Sequence, residues 1–364
     1  MVEITPEIQA QLDEQKKQCP FCKILSGEIP AQKIYDDDLM AGILDINPWK
    51  KGHMLLLPKE HYPIMPFLPP QTFKHMFGMM PKLIAAVKKA MLCTGANVFI
   101  ANGGVAGQQG PHFLVHIVPR EEGDKIYNFE FNDKKPLDEE KAKQVNDMLA
   151  KNLPLMMQNH FSRNPAKWHN GNIKSAEFLS DIKNNQMDIY EDEKTLCVVP
   201  DKPQCIGHLV IYSNEEEKLF DHFDKESASH MFFLASFCAT AVFEGLGAHG
   251  SNIILKTGVS EDNPEGKLCI HVLPRYSEDG IDILPPPMAE KPNAEEVGAK
   301  IKDEMFMVEH ELKEEGKPKE QEVIDLDANK KVIYSDKNED NQKEKQKFDK
   351  PEDEINHAIN KIKG

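Results

Sequence analysis

The sequence has no apolar run approaching the roughly 20 residues of a membrane span, which excludes a membrane-spanning helix by pattern. It has no basic excess: 44 Lys and Arg stand against 60 Asp and Glu, for a net charge of −16. A generic nucleic-acid binder needs a basic face to displace counterions, so neither nucleic acid nor membrane is an expected partner. Cysteine is scarce, with seven in 364 residues, too few and too scattered for a secreted disulfide scaffold. The opening residues MVEITPEIQAQLDEQKKQ are polar and unlike a signal peptide, so the expected location is the cytoplasm. What the chain does have is ordinary globular material, 40% hydrophobic and 29% charged, enough for two domains and a remaining segment.

Charge is concentrated at the end. From Met288 to Gly364 there are 15 Lys and 21 Asp and Glu in 77 residues, a composition that predicts helix plus disorder without a core of its own. Two stretches have helical spacing: Val297, Ile301, Met305, Val308 and Leu312, and then Ile355, Ala358, Ile359 and Ile362. Such faces either pack on the protein's own body or engage a protein partner.

The chain repeats itself. A shift of 155 residues aligns Tyr35 with Tyr190, Asp37 with Asp192, Gly52-His53 with Gly207-His208, and His75-Met76-Phe77 with His230-Met231-Phe232. The same shift aligns Asn97 with Asn252, then His116, Pro119 and Arg120 with His271, Pro274 and Arg275. One ungapped register over this length implies two copies of a domain. The expected organisation is an N-terminal helical extension (1–18), a first copy (19–133), a linker with a helix (134–173), a second copy (174–287) and a charged tail (288–364).

Each copy reads as strand, Gly-His turn, strand, long helix (about 70–92 and 225–246), strand, loop and a last strand ending in Pro-Arg. This is an α+β unit with an antiparallel sheet of about five strands. Pro81 should kink the first long helix. Period-two alternation in HFLVHIVPR sets His112, Leu114 and His116 on one strand face, behind a loop rich in glycine (Gly103, Gly104, Gly107, Gly110). Such a loop suits close backbone approach to an anionic ligand.

The segments CPFCKILSGEIPAQKIYDDD, LDINPWKKGHMLLLPKEH and AGQQGPHFLVHIVPR together resemble the histidine-triad (HIT) nucleotide-binding family, across the whole first copy. In that family the middle histidine of His-φ-His-φ-His attacks the α-phosphorus of a nucleotide. Here the three positions read His112, Leu114, His116 and, in the second copy, Lys267, Cys269, His271. Leucine has no lone pair and cannot attack phosphorus. Cys269 is either a thiolate whose pKa Lys267 lowers or a small core residue on a strand. If any turnover survives in the first copy, His116 in an altered pose is the residue left to carry it.

The resemblance further implies a metal site. Cys19, Cys22, His61 and His112 match the positions that hold structural zinc in the zinc-binding branch, and two thiolates with two imidazoles close a tetrahedron. The same offsets in the second copy give Lys174, Glu177, Glu216 and Lys267, so zinc is expected in the first copy only. For a purine nucleotide or nucleoside monophosphate, the resemblance points to Asp45, Ile46 and Asn47 at the base and ribose, and to Gly107 and Gln108 at the phosphate. His53, His112 and His116 would surround it, and Asn102 stands near the glycine loop. In the second copy Glu261, Asp262 and Glu265 would repel phosphate. Recurrence of His53 and His208 favours a structural hydrogen bond for both, and His75 and His230 read as packing residues. Family members form two-fold dimers, which implies an intramolecular pseudo-dimer here. The expected function is a zinc-stabilised nucleotide-binding protein with impaired catalysis. The alternatives are a working hydrolase or nucleotidyl transferase on dinucleoside polyphosphates or phosphoramidates, and a structural interaction module.

Overall fold

The computed structural model describes residues 6–124, 126, 137–277, 279, 283–315, 320–324 and 331–335. Contacts divide the chain into two compact units, at Val308 and Glu309. The first unit begins with helices α1 (Pro6–Gln18) and α2 (Pro20–Ser26), followed by strands β1 (Lys33–Asp36), β2 (Met40–Leu44) and β3 (Met54–Pro58). Helix α3 (Pro70–Met91), β4 (Gly95–Asn102) and β5 (Val115–Arg120) complete the first copy. Helix α4 (Glu139–Arg163) leads to α5 (Leu179–Asn185), β6 (Met187–Glu191), β7 (Thr195–Val199) and β8 (Leu209–Ser213). Then come α6 (Lys225–Leu246), β9 (Gly250–Thr257), β10 (Cys269–Arg275) and α7 (Ala294–Glu315).

The ten strands form one antiparallel sheet in the order β1-β2-β3-β5-β4-β9-β10-β8-β7-β6. Each copy supplies five strands and one long helix, and the second half mirrors the first about the β4–β9 junction. There the pairing runs from Ala96 opposite Thr257 to Asn102 opposite Ser251. The two-fold arrangement that the resemblance implied for a dimer is thus built within one chain.

Three layers of interaction hold the junction. Above the sheet α3 and α6 pack together, with Phe77 stacked on its repeat equivalent Phe232 at 4.4 Å between ring centres. Within the sheet, Phe99 and Ala101 share a buried cluster with Ile254 and Leu273. At the strand ends lies a fully buried Arg120, whose Nε and Nη2 donate to Asp124 at 2.6 and 3.0 Å and whose Nη1 pairs with Asp262 of the second copy at 2.8 Å. Asn97 Nδ2 and Ser260 Oγ also donate to Asp262, at 2.7 and 2.9 Å. On the other side Arg275 donates to Asp279 and, through Nη1, to Asn252 Oδ1 at 2.7 Å. The acids read from sequence as repelling phosphate are therefore otherwise engaged. Asp262 is buried against Arg120, Glu261 accepts the Gly123 N–H at 2.9 Å, and Glu265 pairs with Lys267 at 2.5 Å.

The recurring His75 and His230 also prove structural. His75 Nε2 meets Asp37 at 2.6 Å and His230 Nε2 meets Asp192 at 2.7 Å, with Tyr35 and Tyr190 donating to the same carboxylates. Each network pins a long helix to the first hairpin of its copy. Gly52 holds φ at +89°, and a Cβ there would collide with Met91, so the Gly-His turn needs its glycine.

Helix α3 runs from Pro70 to Met91 with Pro81 inside it. In the linker, Val145, Leu149, Leu153, Met157 and Phe161 form a buried stripe to the end of α4. Several expectations change. Strand β5 starts only at Val115, leaving His112 and Leu114 in the segment before it, where strand alternation does not set their direction. In the tail Val297, Ile301 and Met305 are buried, so that face packs on the body of the first unit. Val308 and Leu312 lie in α7 beyond the described side chains, and the Ile355–Ile362 stretch lies outside the described residues. The second unit contains a hairpin of β11 (Glu320–Ile324) with β12 (Lys331–Ser335), where helix and disorder were expected. The adjacent Val323-Ile324 and Val332-Ile333 supply the β preference.

Replacing Arg120 with Met would strand Asp124 and Asp262 in the interior. Loss of one partner of a buried ion pair costs about 3–5 kcal/mol, so R120M should lower the urea midpoint accordingly. A loss below about 1 kcal/mol would show that the cluster does not hold the junction.

Candidate functional site

Two separate constellations occupy the first copy. In the first, the start of α2, the end of β3 and the segment before β5 converge. Cys19 Sγ lies 3.6 Å from His112 Nδ1, and Cys22 Sγ lies 3.3 Å from His61 Nδ1 and 3.6 Å from His112 Nδ1. All four potential ligand atoms fall within 4.8 Å of one another. Around a tetrahedral ion with metal–sulfur bonds of about 2.3 Å and metal–nitrogen bonds of about 2.0 Å, the sulfur–nitrogen edge is about 3.5 Å. The three sulfur–nitrogen separations of 3.3, 3.6 and 3.6 Å match that edge.

Its surroundings fit the same group. His112 Nε2 donates to the Pro58 carbonyl at 3.0 Å, which leaves the Nδ1 lone pair facing the thiols. Burial brings His112 down to about 4 and also lowers His61, so both imidazoles are neutral ligands at neutral pH. Without a cation, burial and the adjacent Cys19 push the Cys22 thiol up to about 12. A divalent ion reverses that balance and deprotonates a coordinating thiol outright. In the second copy the corresponding Glu216 merely accepts the Glu177 N–H at 3.3 Å.

The second constellation is a histidine relay. Trp49 N–H donates to His53 Nδ1 at 3.2 Å, so His53 carries its proton on Nε2 and donates to His116 Nδ1 at 3.1 Å. His116 therefore holds its own proton on Nε2. Trp49 stacks on His116 at 4.8 Å, nearly parallel. Burial lowers His116 to about 4 and His53 further below its ordinary value, aided by His116 itself. The second copy repeats the relay, with Gln204 N–H to His208 at 3.0 Å and His208 Nε2 to His271 Nδ1 at 3.1 Å. The structural role read for His53 and His208 is this bond.

A cavity of about 470 Å³ opens beside the relay. Asp45, Ile46, Asn47, Gly107, Gln108 and His116, six of the residues expected around a nucleotide, line it together with Leu114. Three of the proposed residues lie elsewhere. His112 is buried in the Cys-His cluster, His53 sits behind His116, and Asn102 is buried at the junction, accepting Met65 N–H at 3.0 Å and donating to Ser251 Oγ at 3.2 Å. Leu114 packs with Ile43, Leu55, Phe21, Ile24 and Leu25 in the apolar wall. His112, Leu114 and His116 thus serve a metal cluster, a wall and a relay.

Sequence reasoning missed two walls. Helix α2 contributes Phe21 and Ile24, and Leu284, Pro285 and Pro287, from the segment after β10, line the cavity. That strap is fastened by Met288 N–H to the Pro48 carbonyl and by Lys291 Nζ to Asn47 Oδ1, both at 2.8 Å. The run ILPPP was a visible signal, being apolar just before the charged tail.

In the second copy Leu179 and Ile182 of α5, with Ala176, pack on Leu196, Val198, Val210 and Cys269, as α2 packs on the wall around Leu114 in the first. Burial raises the Cys269 thiol to about 11, and Lys267, which was to activate it, is paired with Glu265. Cys269 accepts from His271 Nε2 at 3.4 Å as a core residue.

Comparison with known proteins agrees with this geometry. A HIT domain family model matches residues 26–123. The chain is 42% identical over 106 residues, 29% of its own length and 81% of the relative's, to an uncharacterized HIT-like protein of Methanocaldococcus jannaschii. It is 41% identical over 109 residues, 30% of its length, to an adenylylsulfatase of Arabidopsis thaliana, of which it spans only 55%. A solved structure of a zinc-bound histidine triad family protein from Mycobacterium smegmatis is 38% identical over 30% of this chain and 80% of that one, with a TM-score of 0.29. The chain belongs to the HIT family, as a two-copy member with the central triad histidine replaced in both copies.

The lowered histidines set a pH dependence. Their folded values lie below the unfolded 6.5, so the unfolded chain binds more protons between the two. Stability is complete above about pH 6.5 and falls on acidification toward pH 4. Melting temperature across this range should show that slope, and it should be shallower in H271F, whose site does not include Cys19 or Cys22. An unchanged slope in H271F would contradict burial of a neutral imidazole there.

Proposed function

We propose that the first copy is a zinc-stabilised nucleotide-binding site that has lost the catalytic nucleophile of its family. The observation that carries this reading is Leu114, held among Phe21, Ile24, Leu25, Ile43 and Leu55 where bond-making would occur, beside a Cys-His cluster of tetrahedral proportions. Cys19, Cys22, His61 and His112 would hold the ion. With no open position it supplies folding energy and not chemistry, fastening α2 to the segment after β3 that holds His61. A purine nucleoside monophosphate is the proposed ligand class. The second copy, without the cysteines and histidines of the cluster, acts as a scaffold for the first.

A second reading, turnover of an adenylylated substrate, has the Arabidopsis relative's name in its favour. It would use water directly or His116 in an altered pose, and in this pose His116 Nδ1 already accepts from His53 while its Nε2 carries a proton. The impaired reading is therefore preferred.

Two measurements test the proposal. Metal analysis of purified protein should give about one zinc per chain, and chelation should lower the melting temperature, since structural zinc contributes several kcal/mol. The variant C22S should bind none; full-length protein free of metal and indifferent to chelator would refute the zinc assignment. Incubation with a fluorogenic adenosine phosphoramidate should give no turnover above background. Turnover that disappears in H116A would establish an active enzyme instead.

A further inference from the structure

We propose that a second cavity, formed between the linker and the two long helices, binds a free aromatic amino acid whose ring carries a hydroxyl, that is, tyrosine. The cavity has a volume of about 320 Å³ and shares no lining residue with the one beside the histidine relay. Both copies and the segment between them contribute to it: Lys74 from α3, Phe161 from the end of α4, Trp168 beyond it, and Glu226, His230 and Phe233 from α6.

The polar centre is His230. Its side chain is 5% exposed, and its Nε2 donates to Asp192 at 2.7 Å. Nδ1 is left without a partner among the described residues, on a ring that lines the cavity. The matching pair in the first copy is more open, with His75 32% exposed; in the second copy α4 packs along α6 and encloses it. A hydroxyl suits the free nitrogen in either protonation state of the ring, since it both donates and accepts.

The walls around that nitrogen are aromatic. Trp168 stands edge-on to His230 at 4.7 Å between ring centres, and Phe161 edge-on to Trp168 at 5.4 Å. Burial, with His230 and Lys74 nearby, holds His160 below its ordinary value, which makes it a further uncharged ring of the lining. Trp168 Nε1 is buried without a partner among the described residues, a second unmet polar group at this wall.

Two opposite charges complete the lining. Lys74 and Glu226 are its one lysine and its one carboxylate, and among the described residues neither side chain is paired, with the other or elsewhere. A ligand of a single sign would be attracted by one and repelled by the other. A zwitterion satisfies both, with its carboxylate toward Lys74 and its ammonium toward Glu226. A phenol ring has apolar faces for Trp168, Phe161 and Phe233 and a polar tip for His230. Amino acid and phenol together are tyrosine.

Calorimetry on the full chain with tyrosine and three relatives reads each contact separately. Tyrosine should bind. Phenylalanine, without the hydroxyl, should bind about tenfold more weakly. Tyramine lacks the carboxylate and 3-(4-hydroxyphenyl)propionate lacks the ammonium, and each should bind about three- to fivefold more weakly, the worth of an exposed ion pair. Both charged side chains are exposed, so K74M and E226Q should fold as the parent does. In K74M tyrosine should fall to the level of tyramine while tyramine itself is unchanged, and in E226Q tyrosine should fall to the level of the propionate. No binding of tyrosine, or phenylalanine binding as tightly, would overturn the proposal. So would K74M weakening tyramine and tyrosine alike, because that loss would not pass through the carboxylate.

Discussion

The antiparallel pairing of β4 with β9 is the constraint on which the rest depends. It fixes two copies of one sheet at a common edge, and parts of the first copy draw on the second through that edge. The buried Arg120 pairs with Asp262, and the glycine loop rests against β9 through Asn252 Nδ2 and the Ala106 carbonyl at 2.8 Å. A chain with both copies covalently linked makes this junction without the entropy cost of association. The second copy is thereby free to lose its own site.

The same economy of parts explains how the triad came apart without the fold failing. His112 is held by the Pro58 carbonyl and the cysteines, and His116 by His53 and Trp49. Neither needs a polar residue between them. Position 114 faces an apolar wall from α2, so an isobutyl group buries there at no polar cost, whereas a histidine would need a hydrogen-bond partner or an open cavity beside it. In the second copy Cys269 meets the same requirement with a smaller side chain.

Much of this was legible in the sequence because the repeat is exact in register. Residues that recur at the same offset turn up as matched hydrogen bonds: Asp37 with His75 and Asp192 with His230, His53 with His116 and His208 with His271. The Cys-His cluster was readable too, since its four members lie in segments with their own punctuation. What was not readable depends on contacts distant in sequence. Asp262 was taken as a surface acid of the second site, and its partner Arg120 lies 142 residues earlier in the other copy. The strap at 283–287 follows the last strand of the second copy, and nothing local says which cavity it lines. The resemblance placed His112 at both the metal and the nucleotide; in the structure it lies before β5, where Phe113 N–H bonds the Tyr62 carbonyl, and it faces the cysteines.

The most direct measurement is diffraction at the zinc absorption edge from crystals grown with AMP. The account predicts an anomalous peak among Cys19, Cys22, His61 and His112, none at the matching positions of the second copy, and any ligand density confined to the first-copy cavity without a bond to protein. Phosphorus joined to a side chain, at His116 or Cys269, would contradict it.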